Sequence, residues 1–147
     1  DLYRDNRLVQ AGSMSVAGTP IDLSTVATPT YVQAGREDHI APWKSTYAGT
    51  QTFSGPIKFV LSASGHIAGV VNPPAAEKYC YWTNAKLPKA PDDWLATAKQ
   101  NPGSWWPEWQ RWLSKHGGGK VAARVPGAGG LPAIEDAPGS YVAVRIT

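Results

Sequence analysis

One cysteine, Cys80, and one methionine are all the sulfur in this 147-residue sequence. A single thiol excludes an intrachain disulfide and a Cys-rich metal knuckle. Charge is also scarce. Only 17% of residues are charged, with 14 Lys plus Arg against 11 Asp plus Glu, a formal net charge of +3. That excludes a disordered acidic or basic tail as the whole chain. The basic residues are scattered, so they leave no nucleic-acid footprint. No apolar run approaches the roughly 20 residues a membrane span needs. No basic, apolar, small-residue series opens the chain, so no signal peptide is read. No phosphate-cradling glycine loop, metal-ligand spacing or internal repeat is found. The first residue is Asp1 rather than Met, which raises the expectation of a piece of a longer protein.

What is present is apolar material for a core, turn formers and indoles. Hydrophobic residues make up 42% of a length that suits one domain or half of a larger one. Gly and Pro, 15 and 13 residues, predict a loop-rich chain. Ser13–Ala17 reads as a short strand. Thr30–Gly35 reads as a strand around Tyr31 and Val32, and Pro42 opens a helix over about Trp43–Thr50. Ile57–Leu61, apolar nearly throughout, reads as a strand covered on both faces. Asn72-Pro73-Pro74 breaks whatever helical turn follows His66. Asp92–Gln100 reads as a helix with Trp94, Leu95 and Ala98 on one side. Four of the seven Trp fall between 105 and 112. Trp105, Trp109, Trp112 and Leu113 share one helical face, and Pro107 fits only that helix's first turn. Trp106 lies off the stripe and is expected to be the exposed one. Residues 117–139, with seven Gly and three Pro, read as a surface loop. Tyr141–Ile146 reads as a terminal strand.

The chemistry-bearing order is strand, acid, helix, strand, histidine. Asp38 follows the first strand and His66 the second. One crossover apart, the strands could be parallel neighbours with both side chains at one rim. An acid and then a histidine after successive strands are the last two members of an α/β-hydrolase triad. The carboxylate holds the imidazole tautomer and stabilises the imidazolium; the imidazole takes and returns a proton near neutral pH. The bland readings stand beside this one. His66 could be structural or a loop residue, and Asp38 could cap the helix near Pro42. His39 ranks second as a base because it lacks the position after the second strand. His116 reads as a helix-end cation, and Arg36 with Glu37 as a solvated pair. No G-x-S-x-G box occurs. Cys80 comes after His66 with no glycines around it, so it reads as an inert thiol. The Trp stripe reads as a packed helix face, with a polymer- or sugar-binding platform as the competing reading.

The wording of the motifs carries more. Arg-Glu-Asp-His-Ile-Ala-Pro-Trp (36–43) and Ser-Gly-His-Ile-Ala-Gly-Val-Val-Asn-Pro-Pro (64–74) closely resemble polyhydroxyalkanoate synthases of the class I type. Gly-Thr-Pro-Ile-Asp-Leu (18–23), Gly-Ser-Trp-Trp-Pro-Glu-Trp (103–109) and Ala-Pro-Gly-Ser-Tyr-Val (137–142) resemble further signatures of that family in the same order. The resemblance covers nearly the whole chain and matches the C-terminal part of the synthase catalytic domain. It implies an α/β class, the C-terminal portion of an α/β-hydrolase fold with a mostly parallel sheet, over 1–147. It implies an acyltransferase that polymerises (R)-3-hydroxyacyl-CoA into polyester and releases CoA, with no cofactor and no metal. By resemblance, His66 is the catalytic histidine that deprotonates the cysteine thiol, Asp38 is the catalytic aspartate that either orients His66 or helps activate the 3-hydroxyl of the incoming acyl group, and His39 lines the same pocket. The cysteine nucleophile of the family lies in a lipase-like box upstream of these residues, so the chain alone is expected to be inactive. Implied partners are the acyl-CoA, the growing polyester chain and the upstream part of the same synthase. A homodimer is left open, and the implied location is the cytoplasm at the polyester granule surface. The competing readings are another esterase or depolymerase of the same fold, or a non-catalytic Trp-rich polymer-binding module.

Overall fold

A computed structural model describes residues 1–145. It divides into two units, Asp1–His116 and the segment from Gly117 on. The first unit opens with a single helical turn, α1 (Leu2–Asp5), and a two-residue hairpin, β1 (Ser15–Val16) with β2 (Thr19–Pro20). A four-stranded sheet follows. Its strands are β3 (Thr30–Gly35), β4 (Ile57–Ser62), β5 (Cys80–Thr83) and β6 (Lys99–Pro102), in that spatial order. Three helices accompany it: α2 (Trp43–Gly49), α3 (Pro91–Ala96) and α4 (Trp106–His116).

β4 is the pivot. Phe59, Val60 and Leu61 are fully buried, because alternate side chains serve opposite faces of a sheet and both faces are covered. Phe59 and Leu61 face a cluster with Trp43 and Tyr47 of α2, Trp82 of β5 and Trp94 of α3. Phe59 meets Tyr47 and Trp94 edge to face, at centroid distances of 5.0 and 4.9 Å. Val60 faces Tyr81 and Trp105, with Tyr31 and Trp106 packed against them.

The structure corrects the expected mostly parallel sheet. β3 and β4 are parallel, in register from Thr30 opposite Ile57 to Gly35 opposite Ser62. The β4–β5 and β5–β6 pairs are antiparallel. A parallel return needs a crossover long enough to carry the chain back along the sheet. Between β4 and β5 the chain makes only a helical turn after His66 and a 3₁₀ turn at Pro74–Ala76. It therefore re-enters at the rim where β4 ended.

Two other expectations change. The helix expected over Asp92–Gln100 stops at Ala96, and 99–102 form β6. Asn84 ends the helix by donating to the Trp94 carbonyl and to the Thr97 hydroxyl, at 3.1 and 2.8 Å. Lys99–Pro102 then pairs with β5, and Pro102 closes an edge strand that needs no donor there. The expected terminal strand at Tyr141–Ile146 is a 3₁₀ turn at Ser140–Ala143, and Ile146 lies outside the described residues. Within 117–145 no residue is buried, and Val121, Leu131, Ile134 and Tyr141 are exposed. A strand without a neighbour to pair with has no ladder to form.

Candidate functional site

The parallel register sets the site. Gly35 and Ser62 end their strands side by side, so the loops that follow leave from one rim. The two loops are then stitched by backbone bonds. Arg36 N–H donates to the Ser62 carbonyl at 2.8 Å, and Glu37 N–H to the Ser64 carbonyl at 3.1 Å. A Cβ at Gly35 would press within 3.2 Å of the Ser64 and Gly65 carbonyl oxygens, so the approach suits glycine.

Asp38 and His66 meet at this rim, with His66 Nδ1 2.8 Å from Asp38 Oδ2. The other carboxylate oxygen is also held. Asp38 Oδ1 accepts from the N–H groups of Ile40 and Ala41, both at 2.9 Å. The Asp38 side chain is 7% exposed and that of His66 49%. The Ala41 N–H, then the His66 bond and the Ile40 N–H, hold the Asp38 carboxyl below its ordinary range, against the opposing effect of desolvation. An ionised carboxylate can only accept, so the imidazole proton belongs on Nδ1. Nε2 then carries the free lone pair, and among the described residues nothing hydrogen-bonds to it. Such a pair can orient an imidazole, take a proton at Nε2 and stabilise the cation that results.

The bland reading of Asp38 is also partly visible, since Oδ1 orders the turn before α2. One oxygen shapes the loop while the other holds the histidine. His39 is exposed and makes no side-chain hydrogen bond among the described residues. Arg36 does not pair with Glu37; its guanidinium lies 4.9 Å from the Trp82 ring centroid. Cys80 is half-buried against the α2-side cluster. Its side chain serves packing there.

The indoles are chiefly packed. Trp105 is buried and stacks with Tyr31 at 6.2 Å, and Trp112 meets Tyr31 at 5.4 Å. The Tyr31 hydroxyl donates to Glu108 Oε2 at 2.5 Å, and Lys58 pairs with Glu108 at 3.2 Å. Burial, then the Glu108 carboxylate, pushes the Tyr31 phenol far up, so it stays a donor. The expectation for Trp106 is reversed. It is half-buried, and its indole N–H donates to the Val70 carbonyl at 2.9 Å, whereas Trp109 is 38% exposed. Trp105 N–H likewise donates to the Gly69 carbonyl at 3.0 Å. These two contacts to the loop of His66 were not legible in helical spacing, which reports only which side chains share a face.

On the same two loops Ile40, Ile67 and Val71 are exposed, giving the rim an apolar margin. At the dyad the Asp38 carboxylate is covered while the His66 ring is half exposed. A cavity of about 350 Å³ lies elsewhere, between Ile57 and Lys58 at the start of β4 and Arg111 and Trp112 of α4. Among the described residues no helix is long and apolar enough to cross a membrane.

No protein-family model matches the chain. It is 48% identical over 144 residues to the poly(3-hydroxyalkanoate) polymerase subunit PhaC of Cupriavidus necator, covering 97% of this chain and 24% of that protein. It is 50% identical over 143 residues to the subunit of the same name from Rhizobium etli, covering 97% and 22%. To poly(3-hydroxyalkanoate) polymerase 2 of Ectopseudomonas oleovorans it is 40% identical over 146 residues, covering 99% and 26%. The chain thus spans about a quarter of the length of the curated relatives it matches. Over nearly its whole length it is homologous to one segment of these polymerases, which bears out the resemblance read from the motifs.

Proposed function

We propose that this chain is the acid–base segment of a poly(3-hydroxyalkanoate) polymerase, the C-terminal portion of its α/β-hydrolase catalytic domain. The whole protein then moves (R)-3-hydroxyacyl units from CoA to a growing polyester. The observation that carries the reading is the 2.8 Å contact of His66 Nδ1 with a carboxylate whose second oxygen two backbone N–H groups hold.

In this reading the nucleophile is a cysteine in the remaining three-quarters of the protein. His66 Nε2 takes the thiol proton, and the thiolate attacks the thioester carbonyl. The carbon–sulfur bond to CoA breaks, and the CoA thiolate receives the proton from the imidazolium. Asp38 keeps Nε2 unprotonated beforehand and stabilises the imidazolium between the two transfers. His39, next to Asp38, faces the same pocket and touches substrate rather than the transferred proton. The apolar margin of Ile40, Ile67 and Val71 suits an alkyl-substituted acyl chain. The protein works in the cytoplasm at the surface of the polyester granule. An esterase or depolymerase of the same fold would use the same dyad; the similarity to poly(3-hydroxyalkanoate) polymerases favours synthesis.

The test is CoA release. The full-length protein is expected to release CoA from (R)-3-hydroxybutyryl-CoA and deposit polyester, and the 147-residue chain alone is expected to release none. Release by the chain alone, or hydrolysis of preformed polyester without CoA-dependent synthesis, would overturn the proposal.

A further inference from the structure

The loop after His66 is one turn of helix that stops short. Gly69 N–H donates to the Gly65 carbonyl at 2.9 Å, and Val71 N–H to the Ile67 carbonyl at 2.8 Å. In a continuing α-helix the carbonyls of Gly69 and Val70 would accept from residues 73 and 74. Those are Pro73 and Pro74, which carry no N–H. The two carbonyls are therefore left open by the chain's own sequence. Two successive indoles fill the gap, with Trp105 Nε1–H on Gly69 and Trp106 Nε1–H on Val70. Gly69 itself has no room for a side chain. A Cβ there would come within 2.6 Å of the Gly65 carbonyl oxygen and 3.1 Å of the Ala63 carbonyl oxygen.

We infer that Trp105 and Trp106 are positioning residues for His66, clamping the proline-terminated turn that carries its imidazole through the carbonyls of Gly69 and Val70. The inference rests on the proposed role of His66 as the base. The clamp acts at a distance from substrate. Trp105 is anchored in the core against Val60 and Tyr81, so the turn is tied to the sheet face opposite α2. Asp38 holds the ring from the neighbouring loop. The imidazole is thereby fixed from two independent supports, one at Nδ1 and one through the backbone behind it. Loosening the second lets Nε2 wander from the proton it must take. A misplacement of about 1 Å in such a geometry costs up to about a hundredfold in rate.

The test uses the full-length polymerase with Trp106→Phe, and with Trp106 replaced by its benzothienyl isostere, which keeps the ring shape and loses only the N–H. His66→Gln is run beside them. The expected result is a roughly tenfold fall in kcat for both Trp106 variants, with KM for (R)-3-hydroxybutyryl-CoA within about twofold. The downfield Nδ1 proton resonance of His66, assigned by its loss in His66→Gln, is expected to broaden or move upfield. A wild-type kcat and an unmoved resonance in the isostere variant would overturn the clamp while leaving the base intact. Undiminished turnover in His66→Gln would instead remove the role of His66 on which the clamp rests. A role confined to stability would lower the melting temperature of the isostere variant without touching kcat or the resonance, and would likewise overturn the clamp.

Discussion

His66→Gln in the full-length polymerase is expected to cut kcat for CoA release by about 10²–10⁴ while leaving the fold in place. Glutamine removes the titratable nitrogen, so in the proposed mechanism no group at this position would take the thiol proton. Its amide can still donate toward Asp38 Oδ2, so the rim keeps its shape. Asp38→Asn should do comparable damage by another route. The asparagine carbonyl can still accept from the Ile40 and Ala41 N–H groups, which keeps the turn before α2. Its amide nitrogen would then face His66 Nδ1, where Asp38 Oδ2 now lies 2.8 Å away. A donor at that position pushes the imidazole proton onto Nε2, the nitrogen that must be bare. Turnover assays with (R)-3-hydroxybutyryl-CoA, beside melting curves within a few degrees of the parent, check both variants. If either variant retained more than about a tenth of the parental rate, the acid–base assignment would fail.

The largest stability effect should come from Trp94. It is fully buried between Tyr47 and Phe59, and its indole N–H is without a hydrogen-bond partner among the described residues. Trp94→Ala is expected to cost about 3–5 kcal/mol, the range for emptying a large aromatic site. Trp94→Phe should cost far less, about 1–2 kcal/mol, because the lost N–H satisfies nothing and a ring remains against Phe59. Urea unfolding of the full-length protein, followed by fluorescence, gives both values. Equal costs for the two variants would mean that the site collapses around the alanine or that the N–H has a partner after all.

The elements that were legible in the sequence are the ones whose signal is local. Thr30–Gly35 and Ile57–Leu61 are apolar runs with turn signals at their ends. Pro42 and Pro107 mark helix starts because their missing N–H costs nothing there. The meeting of Asp38 with His66 followed from the same logic, since two strands one crossover apart bring their far ends to one rim. The illegible parts depend on partners distant in sequence. Tyr81–Thr83 is a run of aromatic and β-branched residues, yet it was read only as the neighbourhood of a thiol. Lys99–Pro102 is polar and ends in proline, so nothing local marks it as a strand; β5 makes it one. Trp106 was expected to be exposed because it is off the helical stripe, but its contact is a hydrogen bond to a different loop.

The two prolines after the His66 turn have a consequence for anyone recombining these polymerases. Gly69 and Val70 borrow their donors from residues 36 positions downstream. The Ser-Gly-His-Ile and Gly-Ser-Trp-Trp segments are thus one structural unit, written in two places. A chimera that takes the first from one parent and the second from a parent lacking the paired indoles would inherit a histidine with half its mounting. A crossover placed after His116 keeps the unit whole.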